Sequence, residues 1–265
     1  MSASHEYLPS STTLIRPPST SSPSSSNLSG SVTGRANRRR KQAAIKFMHE
    51  SLASRPELLE YTTPSFPFEA RRTVITDSYY TALLDPKVTL VPHGIKELTA
   101  AGTVDANGDE HGLDMIVLAT GFDAANYLGN YKVYGEGGIE LHDTWKGDPE
   151  AFLGLMVPGY PNFFMMYGPN TNSIPLVNFY EAQAAFAADL ISMLGTKGRT
   201  RARVRTSAMA IYNEWLQSRL QRTVWATTNS YFTAGTGRIV SQWPSGPTAY
   251  VLATKLLRRP AVRVS

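Results

Sequence analysis

Apolar positions along the chain predict a set of short strands. Runs typical of strands occupy residues 88–91, 95–98, 102–104, 114–120 and 162–167, and Asn107-Gly108 predicts a β-hairpin before the fourth run. After the acidic Asp114, residues 115–118 are apolar at successive positions, so the run 114–120 predicts a buried strand with no polar face. It ends at Gly121, where the absence of a Cβ lets the backbone approach another group closely.

Helical periodicity predicts three further segments. These are residues 37–60, which Pro56 interrupts, residues 178–194, and a helix capped by Thr206 or Ser207. We interpret the aromatic residues of their apolar faces as core rather than as cofactor contacts. The expected inward positions are Ala43, Ala44, Phe47, Met48 and Leu52, then Phe179, Ala182, Phe186 and Leu190, then Ile211, Tyr212, Trp215 and Leu216.

Residues 1–34 differ from the rest because they are rich in Ser, Thr and Pro. So few apolar side chains cannot offset the entropy of ordering, and we expect this segment to be disordered. The remaining pattern fits the latter portion of an α/β sheet protein rather than a complete one.

Composition excludes several classes of function. The 265 residues include no cysteine, which rules out disulfides, thiolate metal sites and thiol nucleophiles. The five histidines are scattered, so no metal site is expected. No apolar run is long enough to span a bilayer and no signal core opens the chain, so we expect a cytoplasmic protein. The net charge of +5 comes from basic clusters at 35–41 and 255–263, which we interpret as solvated surface rather than a nucleic-acid site.

Several unusual segments recur in one order. They are Arg71-Arg72 followed by Tyr79-Tyr80, then Asp114-Met-Ile-Val-Leu-Ala-Thr-Gly-Phe122, the stretch Gly159–Asn172, Tyr212-Asn-Glu-Trp-Leu216 and Thr223-Val-Trp225. This set resembles the C-terminal half of flavin-dependent monooxygenases. It is most similar to the Baeyer–Villiger type, in particular the 4-hydroxyacetophenone monooxygenase branch, over roughly residues 38–255.

The resemblance implies a fold and an activity. The fold is a partial FAD/NAD(P)-binding three-layer, Rossmann-like α/β fold with a helical C-terminal part. Residues 35–123 would be a remnant of the NADP-binding domain and linker, and 124–265 the C-terminal part of the FAD-binding domain. The implied enzyme uses FAD and NADPH to insert one oxygen atom from O2 into a ketone through a C4a-peroxyflavin. Oxygenation of an amine or sulfide, or an inactive remnant that binds a partner, are the alternatives.

The resemblance also implies site residues. Arg72 matches a catalytic arginine that would stabilise the anionic peroxide and the adduct formed from the ketone. Arg71 matches a basic residue that contacts the 2′-phosphate of NADPH, although the nearby Glu69 carboxylate is unfavourable there. The segments Ala119-Thr120-Gly121 and Gly168-Pro169-Asn170 match cofactor-packing positions, and both can equally be turn residues.

Neither dinucleotide fingerprint is present. Gly135-Glu-Gly137-Gly138 and Gly235-Thr-Gly237 both lack a third glycine and a preceding strand, so no Gly-x-Gly-x-x-Gly turn grips a pyrophosphate. We therefore expect a truncated gene product whose missing N-terminal half supplies the neighbours of the 114–120 strand. The isolated chain is expected to be poorly soluble or partly molten.

Overall fold

The computed structural model describes residues 12–14, 34–172, 176–228 and 230–265. The chain divides into two compact units. Among the described residues, the first comprises 12–14 and 35–122, and the second comprises residue 34 and those within 123–265. Most of the segment predicted to be disordered, 1–34, lies outside the described residues. Within that segment, Thr12–Leu14 forms the first strand, β1.

The described residues of the first unit form a long helix, short helices and five strands. They are α1 (Arg35–Ser51), α2 (Leu59–Thr62), α3 (Tyr79–Ala82), β1, β2 (Thr73–Ile75), β3 (Ile95–Thr99), β4 (Gly102–Asp105) and β5 (Glu110–Gly112). Strands β1 and β2 pair in parallel, and β3, β4 and β5 form an antiparallel sheet in that order. The core is helical and consists of Met48, Leu52, Leu58, Tyr80 and Leu83.

The second unit is built around three long helices. Its elements are α4 (Leu141–Trp145), α5 (Leu176–Met193), β6 (Ala202–Val204), α6 (Thr206–Leu220), α7 (Pro247–Ala261) and β7 (Val262–Val264), with β6 and β7 antiparallel. Pro247 opens α7, where a missing N–H costs no helical hydrogen bond. The Tyr250 ring stacks on the Phe179 ring at 4.2 Å, which joins α7 to α5 in the core.

The predicted α/β class and the helical C-terminal part are confirmed. The strands predicted at 95–98 and 102–104 are also confirmed, and the Asn107-Gly108 hairpin is present, but it leads into β5 rather than into residues 114–120. The strands predicted at 88–91, 114–120 and 162–167 are wrong. In the last of these, Asn162 and Tyr167 have φ angles of 59°, which interrupts an extended conformation.

The helices differ from prediction mainly in which face is buried. The inward positions of α5 are confirmed, because Phe179, Ala182, Phe186 and Leu190 are all buried. In α6, Ile211 is 69% exposed and Trp215 is 39% exposed, so both were wrongly placed in the core. The buried apolar face of α6 is instead Met209, Tyr212, Leu216 and Leu220.

The predicted helix boundaries also shift. Helix α1 ends at Ser51, and Pro56 opens a separate short turn. The predicted cap of α6 is wrong, because Arg205 occupies the N-cap position and makes no side-chain capping bond. Of the predicted inward residues of α1, Met48 and Leu52 are buried but Ala43 is exposed.

Candidate cofactor-binding site

Arg71-Arg72 follows a short loop, residues 64–70, whose conformation is set by a turn. The Ala70 amide donates to the Pro67 carbonyl at 3.1 Å. Phe68 and Ala70 are buried, at 2% and 0% exposure. The backbone therefore leads into the arginine pair from an anchored loop, immediately before β2.

Three side chains on one face of α1 hold this loop. The bonds are Asn37 Nδ2 to the Phe68 carbonyl at 3.0 Å, Arg40 Nη1 to Glu69 Oε1 at 3.1 Å, and Lys41 Nζ to the Phe66 carbonyl at 3.3 Å. The three donors are spaced i, i+3 and i+4, which places them on one side of a helix. The basic cluster at 35–41 was predicted to be solvated surface, and for Arg40 and Lys41 that prediction was wrong. Only the three-dimensional contact reveals their role.

Glu69 has an unusual backbone and a half-buried carboxylate. Its φ of 66° lies in the left-handed region, which costs a residue with a Cβ about 1–2 kcal/mol. Burial raises the pKa of its carboxyl, and the Arg40 guanidinium opposes that shift. Because Glu69 is paired with Arg40, its charge is largely compensated, and the repulsion expected toward a phosphate is reduced.

The two arginines have different surroundings. The Arg71 guanidinium carbon lies 4.8 Å from the centre of the Phe66 ring, and its Nε is buried with no hydrogen-bond partner in the part of the chain that the structure describes. A guanidinium has five N–H donors in a planar fork, which suits a phosphate. Arg71 therefore fits the anionic group that the sequence assigned to it. Arg72, by contrast, is exposed, one position before β2.

Ala119-Thr120-Gly121 belong to the first unit and are all exposed. The buried strand predicted to lead into them is not formed, because its backbone finds no partner strand among the described residues. Gly121 has a φ of 83°, and an added Cβ would meet no atom within 4 Å. Glycine is therefore favoured at position 121 by the positive φ angle, and not by close packing, because the space beside it is open.

Gly168-Pro169-Asn170 belong to the second unit and are buried. A Cβ on Gly168 would lie 2.3 Å from the Gly154 carbonyl oxygen, so the glycine is required for packing within the chain. Asn170 Nδ2 donates to the carbonyls of Ile239 at 2.9 Å and Gln242 at 3.1 Å. The Cβ position of Gly168 and the side chain of Asn170 are thus engaged within the chain, and only the backbone of this loop is left for a contact with a flavin.

A buried polar relay supports this loop and was not found from the sequence. Gln183 Oε1 accepts from the Tyr167 amide at 2.9 Å, and Gln183 Nε2 donates to the Tyr250 hydroxyl at 2.9 Å. That hydroxyl donates to the Leu153 carbonyl at 2.5 Å. The sequence signal for these bonds was a glutamine within the apolar face of the predicted helix. The structure shows that Gln183 is 0% exposed, and a buried amide needs hydrogen-bond partners.

Within the described residues, no group of three or more His, Asp or Glu side chains could hold a metal ion. None of the described helices combines the length and the apolar composition that a bilayer span requires.

Comparison with curated proteins finds relatives over most of the chain. The FAD-binding monooxygenase ktnD of Aspergillus niger is 36% identical over 213 residues, which are 77% of this chain and 35% of the relative. A Baeyer–Villiger monooxygenase of Pseudomonas aeruginosa is 34% identical over 208 residues, which are 76% of this chain and 39% of the relative. The chain is a relative of the Baeyer–Villiger monooxygenases.

Comparison with solved structures also finds matches over most of the chain. OTEMO in complex with FAD and NADP matches this Baeyer–Villiger relative with a TM-score of 0.80 and 26% identity, over 88% of this chain and 45% of that chain. No protein-family model matches the sequence. The chain spans 35% and 39% of the length of the two curated relatives named above, and 45% of the solved one.

Proposed function

We propose that this protein supplies the arginine-bearing part of a flavin-dependent monooxygenase that uses FAD and NADPH to insert one oxygen atom from O2 into a ketone. The observation that carries the proposal is the Arg71-Arg72 pair on a loop clamped by α1, in a chain related to Baeyer–Villiger monooxygenases. The finer assignments belong to the same proposal. Residues 35–123 would come from an NADP-binding domain and 124–265 from an FAD-binding domain, in a cytoplasmic enzyme.

Each site residue has a role in this proposal. Arg71 would bind the 2′-phosphate of NADPH through the guanidinium nitrogens other than the buried Nε. Ala119, Thr120 and Gly121 would pack beside the cofactors, where the open space next to Gly121 leaves room. Gly168, Pro169 and Asn170 would present their loop backbone to the flavin, since their side chains and Cβ positions are already engaged within the chain.

Arg72 would carry the chemistry that this chain contributes. Bound FAD, reduced by NADPH, supplies the activation of O2. A guanidinium carries a permanent positive charge in proteins, and Arg72 would supply that charge at the site. It would therefore stabilise negative charge on oxygen as the ketone carbonyl is attacked. Amine or sulfide oxygenation, and a role as an inactive interaction partner, have no observation that favours them over ketone oxygenation.

The test replaces the matched region of the Pseudomonas aeruginosa relative with residues 35–255 of this chain, which retain the whole of α1 with Asn37. We expect the chimera to retain FAD and to convert a cyclic ketone into a lactone with NADPH. Arg72→Ala should lower kcat about 100- to 1000-fold, the usual cost of removing a group that stabilises an oxyanion. Arg71→Ala should raise the KM for NADPH about tenfold or more with little change in kcat.

Arg72→Lys is the matched control, because it keeps a positive charge but loses the planar fork. An active chimera in which Arg72→Ala has unchanged kcat would remove Arg72 from catalysis. A folded chimera that holds FAD but oxygenates only amines or sulfides would replace the ketone assignment.

A further inference from the structure

A groove in the second unit lies between the C-terminal ends of α5 and α7. The two helices touch through the Phe179 and Tyr250 rings and again through the ion pair of Arg258 with Asp189, so they run in the same direction. This α5–α7 groove has a volume of about 430 Å³, which is within the range of sites that hold a small molecule. None of the candidate cofactor-binding residues lines it.

The floor of the α5–α7 groove is apolar. Leu190 of α5 is 2% exposed and Val262 of β7 is 6% exposed. Met193 and Val264 continue this surface. Side chains at alternate positions of a strand share one face, which is why Val262 and Val264 line the groove and Arg263, between them, does not. The floor therefore suits hydrocarbon rather than a polar ligand.

Three arginines border the apolar floor. Arg258 is paired with Asp189, which is the acidic side chain of the lining. The side chains of Arg199 and Arg259 make no hydrogen bond or ion pair with any residue that the structure describes. A guanidinium presents a planar fork of N–H donors that matches the two oxygens of a carboxylate. These two arginines are therefore available to an anionic group.

The backbone that carries Arg199 is held in place. The Arg199 amide donates to the Thr196 carbonyl at 3.1 Å. The amide of the next residue, Thr200, donates to the Ser265 carbonyl at 2.9 Å, which fixes this loop beside the end of β7. A side chain on a fixed backbone loses less conformational freedom when it binds a ligand.

The charge at the groove selects the kind of anion. Three guanidinium groups face one carboxylate, and the C-terminal ends of α5 and α7 each contribute roughly half a negative charge. The groove therefore keeps a net positive charge of about one. A monoanion neutralises that charge, whereas a phosphate dianion would leave an excess of negative charge.

We propose that the α5–α7 groove is a binding site for a free alkyl carboxylate. The hydrocarbon lies on Leu190, Met193 and the two valines of β7, and the carboxylate pairs with Arg199 and Arg259. This site is additional to the proposed cofactor site, and it does not rest on the proposed function.

The probe is sodium decanoate, titrated below its micellar concentration into the full 265-residue chain and followed by calorimetry. We expect decanoate to bind about tenfold or more tightly than butanoate, because the longer chain covers more of the apolar floor. Decanol should bind about tenfold or more weakly than decanoate, because it carries no charge for the arginines.

Hydrogen exchange locates the bound decanoate. At about ten times its Kd, decanoate should slow amide exchange across residues 258–264 about tenfold, because a ligand stabilises the closed state in proportion to its saturation. Both the ligand series and the exchange measurement use the unaltered chain, so they decide the question even where a variant fails to fold.

The double variant Arg199→Gln, Arg259→Gln should weaken decanoate binding about tenfold or more, because the carboxylate loses both charged partners. Arg263→Gln is the matched control. It makes the same change at an exposed arginine that does not line the groove, and it should bind decanoate as the parent does. Tryptophan fluorescence checks that the second unit of each variant is folded.

Four results would overturn the proposal. Equal affinity for butanoate and decanoate would indicate a surface anion site, and equal affinity for decanol and decanoate would remove the arginines from binding. Equal weakening by the double variant and by Arg263→Gln would show that only overall charge matters. Binding to phosphatidylglycerol vesicles without binding of monomeric decanoate would assign the groove to a membrane surface instead.

Discussion

At the scale of single residues, the candidate site depends on side chains whose roles were not visible in the sequence. Arg71 and Arg72 stood out because of their spacing to Tyr79-Tyr80, and the Arg71 guanidinium lies over the Phe66 ring. From the sequence, Arg40 and Lys41 were predicted to be solvated basic surface and Asn37 was only the start of a helix; their contacts with the loop give all three a structural role. A hydrogen bond between residues about thirty positions apart produces no periodicity in the sequence from which it could be predicted.

Glu69 gives a residue-scale prediction. Its φ of 66° favours glycine, while its carboxylate pairs with Arg40. Both Glu69→Ala and Glu69→Gly lose the ion pair, but only glycine relieves the left-handed backbone. We therefore expect Glu69→Gly to be more stable than Glu69→Ala by about 1 kcal/mol, measured by urea unfolding. Equal stabilities would show that the backbone at this position is not strained.

At the scale of elements, helices were predicted better than strands. The apolar face of α5 follows from spacing alone, because helical periodicity depends on neighbours three and four positions away. The 162–167 run is apolar, but its backbone turns at Asn162 and Tyr167 to meet other loops. Whether an apolar run pairs as a strand depends on residues distant in sequence, and a local pattern does not record them.

Gly168 gives an element-scale prediction, because it brings the loop containing Asn170 against the loop containing Gly154. An added methyl group would lie 2.3 Å from the Gly154 carbonyl oxygen. We expect Gly168→Ala to lower the free energy of unfolding by about 1–3 kcal/mol, the usual cost of overpacking. Urea unfolding followed by tryptophan fluorescence measures this free energy for the second unit, because all four tryptophans lie there.

The matched control is Gly235→Ala, where a Cβ would meet no atom within 4 Å and the backbone φ is not positive. It should be neutral or stabilising by up to about 1 kcal/mol, because alanine restricts the unfolded chain. If Gly168→Ala were as mild as this control, the two loops would have to be loosely packed.

At the scale of the whole molecule, the two units have unequal cores. The main cluster of the second unit contains nineteen buried residues among those described, and the cluster of the first unit contains five. The strands of the first unit are largely uncovered, which agrees with the expectation that the isolated chain is partly molten. That expectation remains a prediction.

The difference in cores predicts unfolding that is not two-state. Far-ultraviolet circular dichroism reports helices in both units, whereas tryptophan fluorescence reports only the second. We expect the dichroism signal to begin falling at lower urea concentration than the fluorescence signal changes, because less apolar burial stabilises the first unit. Superimposable curves for the two probes would contradict this and would indicate one cooperative unit.

By itself, the sequence determined the family relationship, the α/β class and the buried face of α5, because motif order and helical periodicity are local properties of the chain. Tertiary structure alone decided that α1 clamps the Arg71 loop, that Gly168 packs on Gly154, and that residues 114–120 remain unpaired in this chain. The physical reason is that side-chain clamps, close backbone approaches and strand pairing each need a partner distant in sequence.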